Sequence, residues 1–191
     1  ACIAISADKV RLSTDSLKLE FVPVAKAEKL SKKEKEAKLK YKDGIKTRRR
    51  KAVGTVCAKK LSKAYELINS EDDKKPDLAG AEEVARAALK SGCKEGFEHS
   101  EVNRLLGYVL YSQDRYPEAI SAYLALVNEP EADDQKRTDT RYTVAQLMFV
   151  TEDFKRAAEQ LENWMQEVAV IDKGGKVLLA RAYYQLDRKD D

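Results

Sequence analysis

Asn103 to Val127, NRLLGYVLYSQDRYPEAISAYLALV, holds two apolar runs at helical spacing on either side of a short polar stretch. The first run places Leu106, Gly107, Leu110 and Tyr111 on one helical face. The turn runs from Gln113 to Arg115, and Tyr116 packs where the helices diverge. Pro117 falls in the first turn of the second helix, where its missing N–H costs nothing, and Glu118 places a negative charge at that N-terminus. Ala119, Ile120 and Tyr123 then recur as the second buried face. Gly107 and Ala119 are the small residues that let two helices approach closely.

The pattern repeats. Asp153, Phe154, Ala157 and Leu161 reproduce Arg115, Tyr116, Ala119 and Tyr123 at an offset of 154 − 116 = 38 residues. The same step backwards reaches Leu78, Ala81 and Ala85. In the first helix, Gly107, Leu110 and Tyr111 become Ala145, Met148 and Phe149, and then Ala180, Tyr183 and Tyr184 at a further 180 − 145 = 35 residues. Periods of this length predict an all-α array of helical hairpins, an α-solenoid. The hairpins are expected at about 50–92, 100–128 and 138–168, with a truncated one from 174. A leading helix over Ala52 to Ser70 carries Val53, Val56, Leu61, Ala64, Tyr65 and Ile68, and Asp77 caps the helix after it, which ends at Ser91-Gly92.

These residues resemble the tetratricopeptide repeat family. Its small residue, turn aromatic, alanine and second-helix aromatic are matched by Gly107, Tyr116, Ala119 and Tyr123, with Tyr111 on the first helix. Ala145, Phe149, Phe154, Ala157 and Leu161 match again. The family's early tryptophan is replaced by Asn103 and Arg141, and its late alanine by Leu126 and Trp164. The 38-residue period exceeds the family's usual repeat and implies an extra loop at Glu129 to Asp134. The resemblance covers residues 46–191. It implies packing roles for Gly107, Tyr116, Ala119, Tyr123, Ala145, Phe154, Ala157 and Ala180. It also implies a concave groove for a protein or peptide, lined by Arg104, Tyr108, Tyr111, Tyr142, Gln146, Phe149, Val177, Arg181 and Tyr184. Tyr111, Phe149 and Tyr184 equally suit a core stripe.

A narrower resemblance rests on YSQDRYPEAISAY, YTVAQLMFVTEDFKRAAEQLENW and LLARAYYQL, preceded by TRRRKAVGTVCAKKLSKAYELI. These stretches are similar to tetratricopeptide proteins associated with TonB-type energy-transduction systems of Gram-negative bacteria. The resemblance implies a periplasmic setting beside TonB, ExbB and ExbD.

The chain has 191 residues, 43% hydrophobic and 36% charged, with 8 Gly and 4 Pro. That composition favours helix over sheet. No stretch approaches the ~20 apolar residues needed to cross a bilayer. The 36 basic and 33 acidic residues are unevenly placed: residues 1–51 hold 16 against 7, a net +9, which leaves −6 for residues 52–191. Residues 1–45 read as a charged, flexible or partly extended segment ahead of the repeats. Within it Leu17, Leu19 and Phe21 alternate as in a short strand. Lys26 to Lys51 carries 13 basic and 4 acidic residues with a single aromatic, Tyr41. It reads as a solvated charge run, or as a patch for nucleic acid or an anionic surface; one aromatic makes no stacking platform. The apolar Ala1 to Ala7 fits the end of a signal peptide, the start of a processed chain or a fragment boundary. After LLARAYYQLDRKDD, a partner helix is expected to follow.

Cys57 and Cys93 lie about four turns either side of the Glu71–Pro76 loop, and so at the same end of an antiparallel helix pair. That placement allows a disulfide in an oxidising compartment; two separate buried thiols are the other reading. No CxxC or Cys/His cluster marks a metal, and no cofactor is implied. His99 lacks a nucleophile and supporting acid nearby, so it reads as a capping or surface residue, with Ser100 capping the helix. Gly174-Gly175-Lys176 lacks the spacing of a phosphate loop and reads as a link between helices. The pairs Asp72-Asp73 and Asp133-Asp134 read as solvated loops. The expectation is a non-catalytic interaction scaffold; nucleic-acid or anionic-surface binding through residues 26–51 is the alternative.

Overall fold

The computed structural model describes residues 52–69 and 75–187. The sequence-based readings for residues 1–51, including the alternating stretch and the basic run, and for Asp72-Asp73 lie outside the described residues. Seven helices make up the regular structure of that region, with no strand. They are α1 (Thr55–Ile68), α2 (Leu78–Lys90), α3 (Phe97–Ser112), α4 (Tyr116–Val127), α5 (Asp134–Val150), α6 (Phe154–Glu167) and α7 (Lys173–Asp187). Each packs against its neighbours in sequence, and α1 also touches α3.

The turns explain why the helices stop where they do. Asp114 and Glu152, 38 residues apart, both adopt left-handed backbone at φ 59° and 60°. Behind them Arg115 N–H donates to Leu110 O at 3.0 Å and Asp153 N–H to Met148 O at 2.9 Å, so the orphan carbonyls of α3 and α5 are met identically. An aromatic pair closes each turn: Tyr111–Tyr116 with centroids 6.0 Å apart, and Phe149–Phe154 at 5.1 Å. Asp77, Asp133 and Asp153 cap α2, α5 and α6 by accepting from the N–H three residues on.

The core recurs with the same step. Ala81, Ala119 and Ala157 are all fully buried, and Ala88, Leu126 and Trp164 follow seven residues later in each even-numbered helix. Gly107 lies against the ring of Tyr123: a Cβ there would stand 2.5 Å from Tyr123 Cε1. The close approach at Gly107 is therefore to the Tyr123 ring, and Ala119 is buried separately in the core.

Five details depart from the sequence reading. Asp133 and Asp134, read as a solvated loop, are half-buried: Asp133 caps α5, and Asp134 is its first residue and pairs with Arg137. Ala180 is exposed, while Ala182 is fully buried, so the register from Ala145 is 37 residues and not 35. Both α6 and the loop after it differ from their counterparts: α6 is two residues longer than α4 and the loop one residue shorter, so a 35-residue step does not carry Ala145 onto the buried position of α7. Gly174 and Gly175 lie inside the first turn of α7 instead of linking helices, and a Cβ on Gly175 would overlap the Trp164 ring. The helix α3 starts at Phe97 behind Gly96, so Ser100 is an interior residue whose hydroxyl donates to Phe97 O. Val56, expected on the buried face of α1, is exposed.

Left-handed backbone costs an L-residue with a Cβ roughly 1 kcal/mol, and a β-branched one more. Because Glu152 is exposed and sits at φ 60°, Glu152→Gly is expected to raise the free energy of unfolding by about 0.5 kcal/mol, and Glu152→Ile to lower it by about 1–2 kcal/mol. Urea unfolding followed by circular dichroism measures both.

Candidate functional site

Side chains join three of the odd-numbered helices, α1, α3 and α5. On α3, Arg104 donates to the Tyr65 hydroxyl of α1 at 3.3 Å and to Glu101 at 3.4 Å. Glu101 in turn accepts from Lys136 Nζ of α5 at 2.6 and 2.7 Å. One polar chain thus runs from α1 through α3 to α5. The Arg104 and Glu101 side chains are only 13% and 10% exposed, so this ion pair is partly desolvated, and Lys136 meets it from the wetter side at 41%. Arg104 Nε is buried without a protein partner among the described residues. Burial pushes the Tyr65 phenol above its ordinary range, opposed by the Arg104 charge beside it.

Tyr108 and Gln146 occupy the next turn of α3 and α5, at 38-residue spacing, and both are half-buried. Tyr142 stands one repeat on from Arg104, but its ring packs on Trp164 at 4.6 Å. Burial and the nearby Asp172 charge raise its pKa. Tyr111 and Phe149 are half-buried with their rings committed to Tyr116 and Phe154. Arg181 and Tyr184, read as the groove residues that follow Gln146 and Phe149, are exposed, and by the corrected register they do not correspond to those positions. The residues 37 beyond Tyr142, Gln146 and Phe149 are Leu179, Tyr183 and Leu186. Tyr183 donates to Glu162 of α6, and Val177 is exposed. Of the residues assigned to packing, Gly107, Ala119, Tyr123, Ala145, Phe154 and Ala157 are buried, and Tyr116 is half-buried.

Sequence reasoning missed Tyr65, Glu101 and Lys136. Glu101 lies three residues before Arg104, which is a readable ion-pair spacing on a helix. The pairing across helices to Tyr65 and Lys136 has no local signal.

A second cluster sits where α1 begins and α2 ends. Cys57 and Cys93 form a disulfide with Cα atoms 4.6 Å apart, across 36 residues of chain. Beside it Glu98 is buried, accepting from Lys94 N–H at 2.6 Å and Gly54 N–H at 2.7 Å. The Lys94 N–H, with that of Gly54, holds the Glu98 carboxyl below the usual carboxylate range although burial acts against it. Lys60 adds a further tie, donating to Ser91 O at 2.5 Å and Ala87 O at 3.2 Å at the C-terminus of α2. His99 is half-buried with its Nε2 at 3.2 Å from Cys93 O.

On the even-numbered side, Arg115 bridges Glu82 and Glu118 at 2.5 Å each, and Arg86 joins the same two carboxylates. Burial would raise the Glu82 pKa, but hydrogen bonds from Arg86 and Arg115 bring it below the ordinary value. No described helix is long and apolar enough to cross a membrane.

Comparison with protein-family models, with curated proteins and with solved structures finds no match.

Cross-linking across 36 residues removes unfolded-state entropy worth about 3–4 kcal/mol. Replacing Cys57 and Cys93 together by alanine is expected to lower unfolding free energy by about that amount. Native-state hydrogen exchange should show the loss first in α1, which leans mainly on α2.

Proposed function

We propose that this chain is a tetratricopeptide-type α-solenoid that works by binding a protein segment, not by catalysis, on the face shared by α1, α3 and α5. The observation that supports this most is the Tyr65–Arg104–Glu101–Lys136 chain with Tyr108 and Gln146 beside it. It spans three consecutive odd helices, and aromatic and arginine side chains on a rigid surface are the residue types that anchor protein interfaces. Stacked hairpins supply such a surface preformed, so little ordering entropy is lost on binding.

The partner class follows from the resemblance of the repeats to proteins that accompany TonB-type systems. In this reading the domain is periplasmic and docks a segment of TonB, ExbB or ExbD. The Cys57–Cys93 disulfide supports an oxidising compartment. The strongly basic residues 26–51, 13 Lys+Arg against 4 Asp+Glu, would then flank the array without forming its recognition face.

The test is titration of the full chain with a purified periplasmic segment of TonB, followed by calorimetry. Binding in the micromolar range is expected, weakened at least tenfold by Arg104→Ala with Tyr108→Ala while helicity is unchanged. Absence of binding at high micromolar concentration contradicts the proposal. So does binding that the double substitution leaves intact but deletion of residues 26–51 removes.

A further inference from the structure

Cys57, Cys93 and Glu98 converge where the first turn of α1, the segment after α2 and the first turn of α3 meet. The two sulfur atoms and a Glu98 carboxylate oxygen all lie within 4.8 Å of one another. This corner is shielded: Cys57 is 1% and Glu98 7% exposed. As a disulfide the sulfurs carry no charge, and the carboxylate has its two N–H donors. The reduced corner is a different chemical object. A dithiol reductant supplies two electrons and two protons, the S–S bond breaks, and two thiols then stand beside a buried carboxylate. A divalent cation takes all three groups as ligands and displaces the two thiol protons.

The geometry suits such an ion. Two thiolates on a tetrahedral zinc stand roughly 3.8 Å apart, since Zn–S is about 2.3 Å. With Cα atoms 4.6 Å apart, rotation about the cysteine side-chain bonds reaches that separation. Each carboxylate oxygen of Glu98 keeps a lone pair beyond the one its N–H donor uses. Glu98 can therefore bind a cation while Gly54 and Lys94 still fix its orientation, the supporting arrangement that metal-binding carboxylates require. The fourth tetrahedral position is left to water.

We propose that the reduced form of this corner binds zinc, or another thiophilic divalent cation, through Cys57, Cys93 and Glu98, so that disulfide and metal are mutually exclusive ties between α1 and the segment that joins α2 to α3.

The experiment uses the full chain carrying Cys2→Ser, reduced with a phosphine under anaerobic conditions and titrated with cobalt(II). The expected result is one cobalt per chain, with a thiolate-to-cobalt charge-transfer band and tetrahedral visible bands, both lost on adding zinc. The oxidised chain should show neither. Cys57→Ser should abolish the tetrahedral spectrum, and Glu98→Gln should weaken binding at least tenfold, with circular dichroism checking that the helices persist. A reduced, folded chain that gives no charge-transfer band overturns the proposal. A spectrum and affinity unchanged in Glu98→Gln overturns the assigned ligand set.

Discussion

The contact between Gly107 and the ring of Tyr123 limits how α3 and α4 can approach. A Cβ at position 107 would stand 2.5 Å from the ring, well inside van der Waals contact. Gly175 plays a similar part against Trp164, the large residue that fills the place of Leu126 one repeat later. Small residues in one helix accept bulky ones from its neighbour. Because consecutive helices meet this way, each hairpin presents a similar face to the next. The left-handed turns at Asp114 and Glu152 close with matching hydrogen bonds.

An array held by neighbour contacts is weakest where neighbours run out. Of the described helices, α1 and α7 stand at the two ends of the array, and α1 carries the denser set of extra ties. The disulfide, the Glu98 bridge between Gly54 and Lys94, and the Lys60 bonds to the end of α2 all gather there. They also bear on the face proposed for binding. Tyr65, on α1, is one of the two hydrogen-bond partners of Arg104, so the position of this helix and the presentation of that arginine are coupled. Along the rest of the face, the partly desolvated carboxylate of Glu101 lies between two cations, Arg104 and the more exposed Lys136.

Much of this was legible in the sequence because the strongest signals are local. Pro117 after Tyr116, the small residues at 107 and 145, and the aromatics at 116 and 154 mark both the turns and the helices around them. The placement of Cys57 and Cys93 at one end of a helix pair followed from counting turns. What failed was the register of α7. Ala180 with Tyr183-Tyr184 imitates the small-then-aromatic pattern, but the linker from α6 is one residue shorter than that from α4, and Ala182 is the residue that is buried. The lengths of α6 and of the loop after it differ from those one repeat earlier, and no local pattern announces the change. The Glu98 bridge and the Tyr65–Arg104 bond were illegible for the same reason: their partners lie 44 and 39 residues away.

A double-mutant cycle on Gly107→Ala and Tyr123→Leu tests the packing constraint most directly. The pair it creates, alanine with leucine, is the pair that stands at 145 and 161 one repeat later. Gly107→Ala alone should cost about 1–3 kcal/mol through overpacking. Tyr123→Leu should relieve much of that cost, giving a favourable coupling of at least about 1 kcal/mol. Strictly additive losses would show that position 107 is not held against residue 123, and that the matched small and large positions do not limit the approach of the helices.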